Sequence, residues 1–172
     1  MARNYFELFG LPVRFDIDRE DLARRHRELI RIWHPDRFAQ GSSQERRLAV
    51  EMSADLNDGV KVLRDPIDRA RYFLKLNGVS TDEETDTVMD ASFLQDQMAW
   101  RERLEESQGD AALVDGLVAE VAASRARKEQ ALGRALAQDA AAGLAEARQL
   151  VRELQFLRRF AEELDEAQAG VS

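Results

Sequence analysis

Apolar residues recur at three- and four-residue steps along most of this 172-residue chain, the period of amphipathic helices rather than the alternation of strands. Asn4 stands as a cap ahead of Tyr5, Phe6, Leu8 and Phe9, and Gly10 occupies the position where such a short helix ends. Asp18, with Asp21 three residues on, opens a second helix whose Leu22, His26, Leu29, Ile30 and Trp33 share a face. That helix must stop near His34, because Pro35 has no N–H and biases the residue before it away from the helical region. The segment Arg37 to Gly41 reads as loop, and Ser42 with Glu45 forms a capping box for a long third helix carrying Leu48, Met52, Leu56, Val60 and Leu63. Helices two and three are expected to pack antiparallel, with His34-Pro35-Asp36 projecting at the tip of the hairpin. Asp65-Pro66 marks a fourth start, with Ile67, Ala70, Phe73 and Leu74 on one side until Asn77-Gly78.

Residues 79–90, VSTDEETDTVMD, lose this periodicity and read as an acidic connector. Beyond it the spacing predicts helices from Phe93 to Leu104, from about Ala111 to Ala137 and from about Ala140 to Ala167, with a loop near Ser107 to Asp110. In the last helix Leu144, Ala147, Leu150, Leu154, Leu157, Ala161 and Leu164 follow the three–four alternation of a bundle seam. The expectation is an all-α protein: a helical hairpin with short flanking helices over residues 1–77, a connector over 78–91, and an antiparallel three-helix bundle over 92–172.

Composition narrows the chemistry. The chain has no cysteine, so disulfides, thiolate metal ligands and cysteine nucleophiles are excluded. No apolar run approaches the roughly 18 residues of a spanning helix, and the chain is expected to be soluble and cytoplasmic. Charge is uneven: residues 1–77 hold 15 Lys+Arg against 13 Asp+Glu, and residues 78–172 hold 10 against 20. The two halves suit different partners.

Two constellations stand out. Arg24, Arg27 and Arg31, with Arg25 at their edge, form a basic stripe running toward His34-Pro35-Asp36. It reads as a docking surface for an acidic partner, with His34 and Asp36 making directional contacts from a constrained turn; the plainer alternative is a solvated helix face and an ordinary helix stop. In SFLQDQMAWRERLEE, residues Phe93, Trp100 and Leu104 suffice to seat the helix on the bundle. Leu94 and Met98 then make a second stripe, continued by Glu102 and Glu106, which is either a protein-binding patch or the edge of a wide core face. Phe156 sits off the seam beside Phe160, and the pattern leaves it to either the patch or the core.

The tripeptide with its basic helix, Tyr5 through Leu8 before it and Asp65-Pro66 after it resemble a J-domain, the module by which co-chaperones stimulate ATP hydrolysis by DnaK-class chaperones. That resemblance implies that His34, Pro35 and Asp36 form the stimulating signature and that Arg24, Arg25, Arg27 and Arg31 face the ATPase. A J-domain, an acidic connector, then FLQDQMAWRERLEE and VRELQFLRRF are similar to the HscB-type J-domain co-chaperones of iron-sulfur cluster biogenesis, over nearly the whole chain. The likeness implies an L-shaped pair of domains, a DnaK/HscA-class chaperone ATPase as partner and an IscU-type cluster scaffold as client. It places Leu94, Met98, Glu102, Glu106 and Phe156 on the scaffold-binding surface, with Gln95 and Ala99 there too, where some relatives carry an apolar and an acidic residue. With no cysteine in the chain, no cofactor is expected on it, and any metal or cluster chemistry is expected to belong to a partner.

Other classes fit less well. The arginine stripe suits phosphates, but a net charge of −8 opposes general nucleic-acid affinity. His34 and Asp36 as a hydrolytic pair lack an accompanying nucleophile or metal ligand set, so no enzyme is expected. The nearer alternative is a J-domain co-chaperone with another client or serving the general DnaK-type chaperone.

Overall fold

The computed structural model describes residues 4–81, 90–107, 110–137 and 141–170. Among them all regular structure is helical: α1 (Tyr5–Leu8), α2 (Arg19–Trp33), a 3-10 turn (Pro35–Phe38), α3 (Ser43–Arg64), α4 (Pro66–Leu76), α5 (Ala91–Ser107), α6 (Ala111–Leu136) and α7 (Ala141–Gly170). No helix among the described residues is long and apolar enough to cross a membrane. The chain separates into two compact units, Met1–Phe73 and Leu74–Ser172, divided within α4.

The first unit starts from well-made caps. Asn4 accepts from the Glu7 amide at 3.0 Å while Glu7 reaches back to the Asn4 amide, and the Tyr5 amide donates to Tyr72 Oη at 3.0 Å. Orphan N–H groups at a helix start are thereby satisfied, one of them from a residue far along the chain. Gly10 takes φ 63°, a left-handed turn that a side chain would strain, and reverses the chain after α1. Asp18, Ser42 and Asp65 cap the next three helices through their side-chain oxygens. The core gathers Phe6, Phe9, Leu11, Leu22, Leu56 and Leu63, with Leu29, Ile30, Trp33, Val60 and Tyr72 packed against it. Gly59 lets α1 approach α3 closely: an added Cβ would stand 3.0 Å from both a Phe9 and a Tyr5 ring carbon.

Two expectations change here. Leu48 is exposed and Ala49 is fully buried in its place, so the apolar face of α3 rotates by one residue near the tip. Arg37 and Phe38, the start of the segment Arg37 to Gly41 expected as loop, instead complete a 3-10 turn that begins at Pro35. Proline pre-sets its φ for such a turn, and the missing N–H costs nothing at a first position.

In the second unit α6 packs along α7, and α5 packs on α6. Phe93 and Trp100 are buried from α5, Val114, Leu117, Val121 and Leu132 from α6, and Ala147, Val151, Leu154, Leu157, Phe160 and Leu164 from α7. The seam expected in α7 is too narrow. Leu144, Leu150 and Ala161 are only half-buried, whereas Val151, Phe156 and Phe160 are buried. The reason is that Phe93 and Trp100 of α5 reach α7 through their rings: Phe93 meets Phe156 edge-on at 5.7 Å and Trp100 stacks on Phe160 at 6.3 Å. Lys128 ties the three helices together, with its ammonium 4.5 Å from the centre of the Phe93 ring and 2.5 Å from the buried Glu153 carboxylate. Residues 82–89 of the expected connector lie outside the described residues. Its two ends are held: Arg148 donates to the Ser80 carbonyl at 2.8 Å, and Asp90 caps α5 through the Ser92 and Phe93 amides. The loop at 108–109 and the expected helix start at Ala140 also fall outside.

Each unit carries its own tryptophan, Trp33 or Trp100, as a reporter. Gly59→Ala, whose new methyl meets two ring carbons at 3.0 Å, should lower the stability of the first unit by up to about 2 kcal/mol, over-packing of about 1–3 kcal/mol exceeding the roughly 1 kcal/mol of helix propensity gained. Gly116→Ala meets nothing within 4 Å and should raise that of the second by about 0.5–1 kcal/mol. Urea titrations followed at each tryptophan check both.

Glu120 supplies a pH dependence. It accepts from the Trp100 indole N–H at 2.9 Å and from Arg103 at 2.7 Å, and these bonds, the indole first, hold its carboxyl below the usual range. A depressed folded value means the contribution is complete above the unfolded pKa of about 4.3 and disappears as pH falls through the lower folded value. Acid titration of Trp100 fluorescence in a Trp33→Phe background should show this loss, and Glu120→Gln should flatten it.

Candidate docking surfaces

The first surface is built by the way α2 ends. His34 leaves the helical region with φ −60° and ψ 127°, and its Nδ1 accepts from the Asp36 amide at 3.3 Å, while the Arg37 amide donates to the His34 carbonyl at 3.0 Å. The Asp36 carboxylate stands 3.6 Å from the imidazole, and the two side chains are 91% and 52% exposed. An imidazole and a carboxylate are thus presented outward from a closed turn. Beside them His26, Arg27, Ile30, Arg31, His34 and Arg37 line an open groove with an apolar floor and a basic rim.

The four predicted arginines are not equivalent. Arg24 pairs with Asp21 and with Glu28 on its own helix. Arg25 bonds Asp21 at 2.7 Å and donates to the carbonyls of Phe9 and Gly10 at 3.1 Å, tying α1 to α2. Both arginines, Arg25 first, hold the Asp21 carboxyl below its usual range. The guanidinium groups of Arg27 and Arg31 have no ion-pair or hydrogen-bond partner among the described residues, and both face the groove. Arg37 joins them, a residue the helical spacing did not mark. Its only sequence signal is its place directly after the tripeptide; the turn brings it back to the Arg31 carbonyl at 3.1 Å. His26 meets Asn57 across the hairpin at 3.1 Å and the Phe9 ring at 6.3 Å, a boundary histidine.

The second surface is the outer face of α5. Phe93 and Trp100 seat the helix, which turns Leu94, Gln95, Met98, Ala99, Glu102 and Glu106 to solvent. Met98 is 72% exposed and Leu94 43%. Met98 is the most exposed large apolar side chain among the described residues. Phe156 differs from the rest. It is 8% exposed, edge-on to Phe93 and stacked on Phe160 at 5.7 Å. Arg101 lies 5.7 Å over both Phe156 and Phe160 and bonds Glu163 at 3.3 Å, a lid over the rings that sequence spacing did not reveal. Phe156 is thus buried among the rings beneath the α5–α7 edge, while the strip on α5 lies open.

Residues 89–165 match the family model described as the HSCB C-terminal oligomerisation domain. A co-chaperone protein HscB homolog of Bordetella petrii is 44% identical over 163 residues, 95% of this chain and 95% of the relative. One from Shewanella baltica is 43% identical over 164 residues, 94% of each. Among solved structures, chaperone HscB from Vibrio cholerae has a TM-score of 0.85 at 32% identity, covering 99% of this chain and 100% of that one. The human co-chaperone protein HscB has a TM-score of 0.88 at 30% identity, covering 96% and 82%. With its helical hairpin, its tripeptide turn and its aromatic bundle, the chain belongs to the HscB family of co-chaperones.

Proposed function

We propose that this protein stimulates the ATPase of a DnaK/HscA-class chaperone through the turn at His34-Pro35-Asp36, and hands that chaperone an IscU-type iron-sulfur scaffold held on α5. The observation that carries this reading is the presence, on separate units of one chain, of two uncommitted surfaces of opposite character. The guanidinium groups of Arg27 and Arg31, unpaired among the described residues, rim the first, and Leu94 and Met98 grade into Glu102 and Glu106 on the second.

The chemistry of hydrolysis then lies with the partner, which owns the ATP and its metal. This chain contributes position. Exposed guanidinium groups attract an acidic face and orient the encounter, and the closed turn aims the Asp36 carboxylate and the His34 imidazole at the docked ATPase. Holding a client on the same molecule turns a second collision into an intramolecular one, at an effective concentration in the millimolar range when both sites are reached together. The scaffold surface acts by a small apolar anchor, Leu94 with Met98, and a carboxylate margin that selects a basic counterpart.

Three outcomes test this. His34→Gln should abolish ATPase stimulation while scaffold binding by calorimetry is retained, and Leu94→Ala with Met98→Ala should do the reverse; loss of both activities in both folded variants refutes the division. Phe156→Ala is a poor substitute, since emptying a buried ring site costs roughly 3–5 kcal/mol. Among the arginines, Arg27→Ala and Arg31→Ala should each raise the half-maximal concentration for stimulation about fivefold or more, steeply with falling salt. Arg24→Ala should stay within about twofold, its charge being already met on the helix.

A further inference from the structure

Helix α2 ends without the usual devices. The last four carbonyls of a helix need partners, and a glycine in the left-handed conformation commonly supplies the backbone N–H groups that close them. Here the following residues are His34 and Pro35: proline has no N–H, and the Asp36 amide is taken by the His34 imidazole. Side chains close the end instead. Arg37 donates to the Arg31 carbonyl at 3.1 Å, and Ser53 Oγ, from the middle of α3, donates to the Trp33 carbonyl at 2.8 Å. A serine in a helix interior ordinarily bonds back to its own helix; this one reaches 20 residues back across the hairpin and is partly buried where it does so. The Trp33 ring stacks on Phe38 at 5.9 Å with an interplanar angle of 12°. The residue before the tripeptide and the residues after it are thus gripped from three sides, while His34 and Asp36 themselves stay exposed.

We infer that Ser53 is a positioning residue for the docking turn, acting with Phe38 through Trp33 to hold the turn in its docking-competent shape before the chaperone arrives. The inference rests on the proposed role of His34-Pro35-Asp36 and adds a division within it: the tripeptide determines how far hydrolysis is accelerated, and the clamp determines what fraction of molecules is ready to dock. When only a fraction of a protein is binding-competent, its apparent affinity falls by that fraction while the saturated response is kept.

The test uses the full chain and a purified DnaK-class ATPase. Ser53→Ala should raise the half-maximal concentration for stimulation about twofold, with the plateau rate within about 20% of the parent, since losing one neutral hydrogen bond of order 1 kcal/mol moves the ready-to-unready ratio about fivefold, divided between a smaller ready fraction and a larger unready one. Ser53→Thr, which keeps the hydroxyl, should restore the parent value, and Phe38→Leu should shift it in the same direction as Ser53→Ala. Amide exchange in the free protein is the partner-independent readout. The Asp36 and Arg37 amides should exchange about twofold faster in Ser53→Ala, while the urea midpoint stays close to the parent because alanine is the better helix former. Unchanged exchange at both amides overturns the inference, as does an unchanged half-maximal concentration or a lost plateau. Absent stimulation by the parent protein, with faster exchange in the variant, would instead sink the proposed role of the tripeptide and leave the clamp standing as structure.

Discussion

Pro35 imposes the constraint from which the first unit is arranged. It stops α2 at Trp33 and withholds the N–H that would close the helix end, so the freed carbonyls must find donors elsewhere. Those donors come from Arg37 and from Ser53 across the hairpin. The same proline starts a 3-10 turn that returns the chain toward α3, and the rings of Trp33 and Phe38 stack across it. One proline thus accounts for the end of a helix and the outward aim of two polar side chains.

Charge is apportioned with the same economy. Asp21 holds two arginines, one on its own helix face and one reaching back to α1, so that half of the basic stripe is structural. What remains uncommitted is concentrated at the groove beside the tripeptide. A surface field need not follow the number of charges in a segment; it follows those whose partners lie outside the fold.

The second unit solves a different problem, seating a short helix so that one face stays free. Trp100 and Phe93 do this with few residues, because each ring buries a large area and reaches both α6 and α7. The polar end of Trp100 is met by Glu120, and the Phe93 ring lies under the Lys128 ammonium. With the helix anchored on these two rings, Leu94 and Met98 are left over, and the surface they make is a consequence of how economically the inner face is filled.

Helical periodicity, caps and the proline were enough to establish from sequence that the protein is all-α, where most helices begin, and that the tripeptide closes one of them, because these depend on neighbours three or four residues away. The strip of α5 was legible in part: the spacing set Leu94, Met98, Glu102 and Glu106 apart from Phe93 and Trp100, and the packing of the bundle then left it facing solvent rather than at the edge of the core. Arg24 is met by Asp21 and Glu28 within its own helix, but tertiary structure decided that Arg25 also holds α1, since the carbonyls of Phe9 and Gly10 become its neighbours only when the chain folds back. It also decided that Phe156 sits under Arg101 among the core rings, and that Ser53 serves a helix other than its own. A pattern along the chain records which side of a helix a residue is on; whether that side meets water, a ring or an unsatisfied carbonyl is a property of the neighbours that folding supplies.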